Sequence, residues 1–438
     1  MRPPSTERPA HETTDAGATR ASLLDTALVL GGVLLPSVVI GVIKRRPRLL
    51  RLARRARLDR MSIALMRRLR DRYGPGPLVL PLPIRPMALP LNAGHVERIL
   101  ADADTFHPGG HYKRLSLRHF QPHGVLISDE PERSDRRELN EDVLETDRPE
   151  HSLTAPMTAV IRDEVSALLA ARDRLGWDEF NAAWWWIVRR IVLGDAARDD
   201  REPTDLLDRL RRDANWAGFH PRREGVRRRF DAALRRHLDR AEPGSLAGQV
   251  GARAADQVPH WLFAFDAAGM VTFRALALLA THPEQAAQAR TPGPYAGACV
   301  LDTVRLWPTT PLLLREATRD TDWGRVRIPR GTQFVIFTPF FHRDAETLPY
   351  ADRFAPRAWL DGTASAEAGL VPFSAGPARC PGRDLVLQVT GTVLAELTAG
   401  HEYRLLAPPR LDPDRPLPAT LDNFGLTFAV RTRQWPSD

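Results

Sequence analysis

A mainly α-helical chain with a small β region is the fold class this sequence predicts, and three observations predict it. From His95 onward, apolar residues recur at helical spacing over long stretches. Strand-like patterns are confined to residues 78–91 and to two short runs near the C-terminus, 403–406 and 424–431, joined by a Pro-rich loop. No internal repeat and no Pro/Ser linker divides the 438 residues, and 43% hydrophobic content is enough for one large core.

Residues 1–20 are polar, Pro/Thr-rich and of mixed charge, which predicts a disordered lead. An uncharged run at 27–43 follows, and then a basic block from Lys44, Arg45 and Arg46 through Arg48, Arg51, Arg54, Arg55, Arg57 and Arg60. The run is near the lower limit of the roughly 17 to 25 residues a bilayer span needs, and Pro36 and its glycines weaken it. Residues 21–60 therefore form a hydrophobic and basic segment with three open fates: a span with its basic end in the cytoplasm, a helix in the membrane surface, or a helix packed on the domain. Residues 61–438 form a single domain.

Leu58, Met61, Leu65, Met66 and Leu69 make a helical stripe across 49–72, which the Gly-Pro-Gly-Pro at 74–77 ends. Residues 78–91, with several prolines, suit short edge strands. The helix pattern at 181–193 carries Trp184, Trp185 and Trp186 and reads as a buried core helix. Residues 222–240 interleave eight arginines with Val226, Phe230, Leu234 and Leu238, an amphipathic surface helix, and 244–250 reads as a loop.

Composition excludes several classes. Cys299 and Cys380 are the only cysteines and no zinc-type spacing occurs, so neither a disulfide framework nor a structural zinc is indicated, and a reducing, cytoplasmic setting follows. The net charge of +8 rests almost wholly on Arg, Lys44 and Lys113 being the only lysines; no nucleic-acid motif accompanies it.

Cys380 is the most informative residue. It sits in the loop Phe373-Ser-Ala-Gly376-Pro-Ala-Arg379-Cys380-Pro-Gly382, directly before a helical run from Arg383. Gly376 and Gly382 let the backbone turn sharply and approach a flat ligand, while Pro377 and Pro381 stiffen the turn. A sulfur at a helix mouth, facing free N–H groups, is held as a thiolate, the ligand that pushes haem iron toward O–O cleavage.

This loop resembles the signature of the cytochrome P450 family, F-x-x-G-x-R-x-C-x-G, of the bacterial type. Phe373, Gly376, Cys380 and Gly382 match; Ala378 stands where the family has Arg, with Arg379 one place later. Asp302-x-x-Arg305, followed by Leu-Trp-Pro, is similar to the family's E-x-x-R brace, and Arg353 resembles its partner arginine. Ala268-Gly269-Met-Val-Thr272 is similar to the A-G-x-D/E-T segment that crosses the haem face, with Val271 in the acid's place and Asp266 as a substitute proton source. Thr272 bonding back to a helix carbonyl is the plain alternative. Arg133 and Arg137, one turn apart, and Arg315 resemble the arginines that meet the haem propionates.

The resemblance covers residues 70–435 and implies the P450 fold, haem b ligated by Cys380, and insertion of one oxygen atom from dioxygen into an apolar organic substrate. It implies electrons from an external ferredoxin or flavodoxin-type donor with its reductase, because no dinucleotide fingerprint occurs in the chain. Arg379 and Arg383 beside the cysteine suit an acidic donor. The substituted acid motivates a rival, a peroxide-using or non-oxygenating haem-thiolate enzyme. Two further rivals are a non-catalytic haem-binding protein and a membrane-surface helical protein without cofactor.

Overall fold

The computed structural model describes residues 18–170, 172–216, 219–324, 326–407 and 411–433; most of the expected disordered lead lies outside them. Its last residues do not fit that expectation. Thr19–Arg20 form a strand parallel to Leu78–Leu80 and so begin the larger sheet.

Helices supply most of the structure, as composition and periodicity require. Their centre is Val258–Leu279, apolar on nearly every side and long enough to cross a bilayer. In this molecule 83% of its most apolar window is buried, so it is a core helix, packed against Trp177–Leu193, Pro294–Leu306 and Arg383–Ala399. Below we call it the central helix.

The larger sheet has six strands in the spatial order 19–20, 78–80, 87–89, 333–337, 312–317 and 106–107. Leu312–Ala317 and Gln333–Phe337 pair antiparallel, placing Arg315 opposite Phe334 and turning its side chain inward. A second sheet joins His401–Ala407, Thr427–Thr432 and Arg174–Gly176; the first two answer to the C-terminal strands read from sequence, and the third carried too short a pattern to be recognised. Residues 246–250, expected as loop, form a short helix capped by Ser245. The Arg-rich helix spans Glu224–Leu238, with Phe230, Leu234 and Leu238 buried as the spacing requires.

The N-terminal apolar run is one helical stretch, Leu23–Ile40, with a π-turn in its middle. A third of it is buried, and its first turn is tethered: Asp25 accepts from the Tyr73 hydroxyl at 2.6 Å and pairs with Arg72 at 3.0 Å. One side of this stretch packs on the domain through Val29 and Val33. Leu23, Leu24, Leu35 and Val38 nevertheless remain on its outer side. The next helical pattern divides into Pro47–Arg55 and Leu58–Tyr73, with Arg57 in a left-handed conformation between them.

Candidate functional site

The Cys380 loop is shaped by its glycines. Gly376 has a φ of +66°, and a Cβ there would lie 2.0 Å from the Leu100 carbonyl oxygen, so only glycine fits. The Cys380 N–H bonds back to the Phe373 carbonyl at 3.0 Å, closing the turn, and Arg383–Ala399 starts three residues later. Burial raises the Cys380 thiol above its ordinary value, while the Gly382 N–H and the Arg137 guanidinium favour the thiolate. Cys299, in contrast, is fully buried in the core with its pKa pushed well up, an inert packing residue.

Around this loop the structure gathers cations. Arg315 donates to the Ser374 hydroxyl at 2.9 Å, and burial, followed by the nearby Arg133, pushes its pKa down to about 10. Lys113, in the His111–Leu117 helix, is held well below the usual lysine range by burial first and by Arg315 second. Among the described residues neither Lys113 nor Arg315 makes an ion pair, and the Arg315 Nε is buried without a partner. A buried cation such as Arg315 with no counter-ion, and a half-buried Lys113 near it, are costly unless an anion completes the site. A doubly anionic ligand does so, and haem b, with its two propionates and an iron for the cysteine, fits these residues.

Other residues expected at the cofactor take different parts. Arg137 donates to Glu141 and, at 2.7 Å, to the Arg379 carbonyl, so it pins the cysteine loop. Arg379 turns its guanidinium outward to Asp147. Arg133 bonds Glu130 at 3.2 Å but also lies near enough to Arg315 to lower its pKa, so it remains on the cationic side of the site. Phe373 packs against the core edge, and Gly382 lies beside Leu144.

The D-x-x-R brace is present and buried. Arg305 and Asp302 form a bidentate pair at 2.6 and 3.1 Å with no exposed surface on either side chain. Asp302 also accepts from the Ala355 N–H and the Trp359 indole, and Arg305 donates to the carbonyls of His342, Ala351 and Arg353. The expected partner is thus corrected in kind: Arg353 serves through its backbone oxygen, and its side chain is exposed. Its guanidinium was the obvious feature in the sequence, whereas a carbonyl leaves no signature there.

Along the central helix the expected oxygen-side residues are each engaged with protein neighbours. Gly269 lies against Trp184, whose ring would be 2.7 Å from an added Cβ, and the Thr272 hydroxyl, fully buried, bonds the Ala268 carbonyl at 2.9 Å. Asp266 is gripped by Arg211 at 2.7 Å and Lys44 at 3.2 Å. Burial opposes its ionisation, yet these two cations hold it well below the usual carboxylate range, so it keeps no proton to give. The surface left open on this helix is a stripe of His260, Phe263, Ala264 and Ala267, which Val271 continues one turn on. His260 meets Gln121 at 3.0 Å and Lys113 lies near it, so the stripe faces the cationic side of the site. Sequence reading missed Lys113 and this stripe. Lys113 stood out only as one of two lysines in an Arg-rich chain.

Comparison with known proteins follows the same lines. The family described as Cytochrome P450 matches residues 273–400. Dimethylnonatriene synthase of Arabidopsis thaliana is 34% identical over 122 residues, 27% of this chain and 24% of that protein. Cyclooctat-9-en-7-ol 5-monooxygenase of Streptomyces melanosporofaciens is 31% identical over 128 residues, 29% of this chain and 26% of its own length. The matched segment thus spans about a quarter of each of these curated relatives. The fold match is broader: a six-coordinated cytochrome P450 from Thermus thermophilus superposes with a TM-score of 0.63 over 84% of this chain and 98% of that one, at 21% identity. Residues 273–400 thus match the cytochrome P450 family, and the chain as a whole has the fold of the solved cytochromes P450.

Proposed function

We propose that the protein is a haem-thiolate monooxygenase that inserts one oxygen atom from dioxygen into an apolar organic substrate, with electrons from an external donor. The observation that carries this reading is the Cys380 sulfur, set in a glycine-shaped turn, where the Gly382 N–H and Arg137 work against the burial that raises its pKa. Haem, when bound there, supplies the iron at which oxygen is activated. The chain's own part is to fix the sulfur, to neutralise the propionates with Lys113, Arg133 and Arg315, and to line the opposite face with small and apolar groups, Ala264, Ala267 and Val271.

The test is the spectrum of the reduced, carbon monoxide-bound protein. Wild type should give the thiolate-type band and Cys380→Ser should lose it; a variant that kept that band would refute the assignment. The electron donor is of ferredoxin or flavodoxin type with its reductase, docking beside the cysteine. Arg379 and Arg383 lie there, paired with Asp147 and Asp384; reversing the charge in Arg383→Glu should slow reduction by the donor, and an unchanged rate counts against this docking face. The setting is cytoplasmic, with residues 27–60 against a membrane surface, a reading supported by the outward Leu23, Leu24 and Leu35 beside a basic helix.

A second reading, a peroxide-using enzyme of the same class, is favoured by one observation: the open stripe of the central helix carries neither an acid nor a hydroxyl, Asp266 and Thr272 being turned elsewhere. Hydrogen peroxide already brings the protons that the dioxygen route must collect. Turnover with peroxide but not with dioxygen and a competent reductase would select it.

A further inference from the structure

Away from the cysteine lies a groove of about 1140 Å³, bounded by the Trp177–Leu193 and Glu202–Ala214 helices and by the basic segment 44–51. Eight basic side chains line it against three acidic ones. Lys44 and Arg212 are neutralised by Asp208, but among the described residues Arg46, Arg48 and Arg189 make no ion pair. Arg51 reaches only Asp422, at 3.9 Å. The walls between these cations are aromatic, from Trp185, Trp186, Trp216 and Phe424.

The groove joins the outward face of the N-terminal helix. Arg46 donates to the Val38 and Val39 carbonyls at that helix's end while its guanidinium lies 4.3 Å above the Trp216 ring. Beside it Leu35 is 57% exposed, Trp216 49% and Phe219 92%. An excess of unneutralised cations inside, and an apolar rim directly adjoining, complement an amphiphilic anion whose charged head and apolar tail part at that boundary.

We propose that this groove is a binding site for the headgroup of an anionic phospholipid, its phosphate among Arg46, Arg48 and Arg51 and its acyl region along Leu35, Val38 and Phe219. This rests on the membrane-surface reading above and sharpens it: contact is then selective for lipid charge, and the selectivity resides in one groove.

The test is co-sedimentation of the full chain with vesicles of phosphatidylcholine alone and of phosphatidylcholine with phosphatidylglycerol in equal parts. Wild type should bind the mixed vesicles roughly tenfold tighter or more, and Arg46→Gln/Arg48→Gln/Arg51→Gln should lose that preference. A variant of equal net charge, Arg162→Gln/Arg404→Gln/Arg431→Gln, should keep it. Soluble dihexanoyl phosphatidylglycerol should quench tryptophan fluorescence in wild type and not in Trp186→Ala/Trp216→Ala. Equal binding to both vesicles would leave the membrane reading standing and overturn this site. Equal loss in the charge-matched control would also overturn it, since generic attraction then suffices. Binding to neither vesicle would overturn both.

Discussion

The cysteine loop and the central helix differ in how their residues are held. In the loop, backbone geometry decides. Gly376 tolerates no Cβ, the Cys380 N–H closes onto Phe373, and Arg137 clamps the Arg379 carbonyl, so each residue's place follows from its chemical type. On the helix, phase decides. Ala268 to Thr272 is a run of small and apolar residues, and a shift of one position turns each by about 100°, enough to replace Ala268 and Thr272 by Ala267 and Val271 on the open stripe. A turn motif fixes its own geometry; a helical motif needs its neighbours to say which way it points.

The largest effect should come from the loop's supporting brace. Asp302→Asn would leave Arg305 charged and fully buried with one strong acceptor weakened, at a cost of about 3–5 kcal/mol in stability. Chemical denaturation should show it as a lower midpoint at unchanged slope; a loss below about 1 kcal/mol would mean that the carbonyls of His342, Ala351 and Arg353 suffice.

An intermediate effect belongs to His342, which sits in the same brace. Its Nε2 accepts the Val371 N–H, and burial, then Arg305, pushes its pKa down to about 3 from 6.5. The unfolded chain therefore takes up this proton first as pH falls. Stability contributed by the neutral ring is intact above pH 6.5 and drains away as pH falls toward 3. By about pH 4 the loss is on the order of 3 kcal/mol. His342→Gln should flatten this part of the stability profile; a profile as steep as wild type would place the acid sensitivity elsewhere.

The smallest effect should be on the helix. Thr272→Val removes only the bond to the Ala268 carbonyl, worth under about 1 kcal/mol, and should leave product formed per electron within about twofold of wild type. Val271→Thr, which puts a hydroxyl on the stripe, should change that ratio. If instead Thr272→Val alone uncouples the reaction severely, the two regions are more alike than described.

Much of this was legible in the residues themselves. The iron ligand, its glycines and the D-x-x-R pair announced themselves because each function needs a particular side chain or a particular lack of one. Less visible was anything carried by a backbone carbonyl, such as the part of Arg353, or by tertiary pairing, such as the capture of Asp266 by Arg211, 55 residues away, and by Lys44, 222 residues away. The short strand Arg174–Gly176 shows the same limit, since three residues become a strand only when Thr427–Thr432 is there to pair with them.

Lys44 carries a practical consequence. Residues 41–46 are stitched to the body by Asn215, whose amide bonds Ile43 and Lys44, and by Arg45 reaching the Thr309 carbonyl. Trimming the greasy leader to ease purification would therefore not remove a passive tail. A shortened protein starting after residue 46 would lose part of the wall of the basic groove, and Asp266 would keep one cation in place of two.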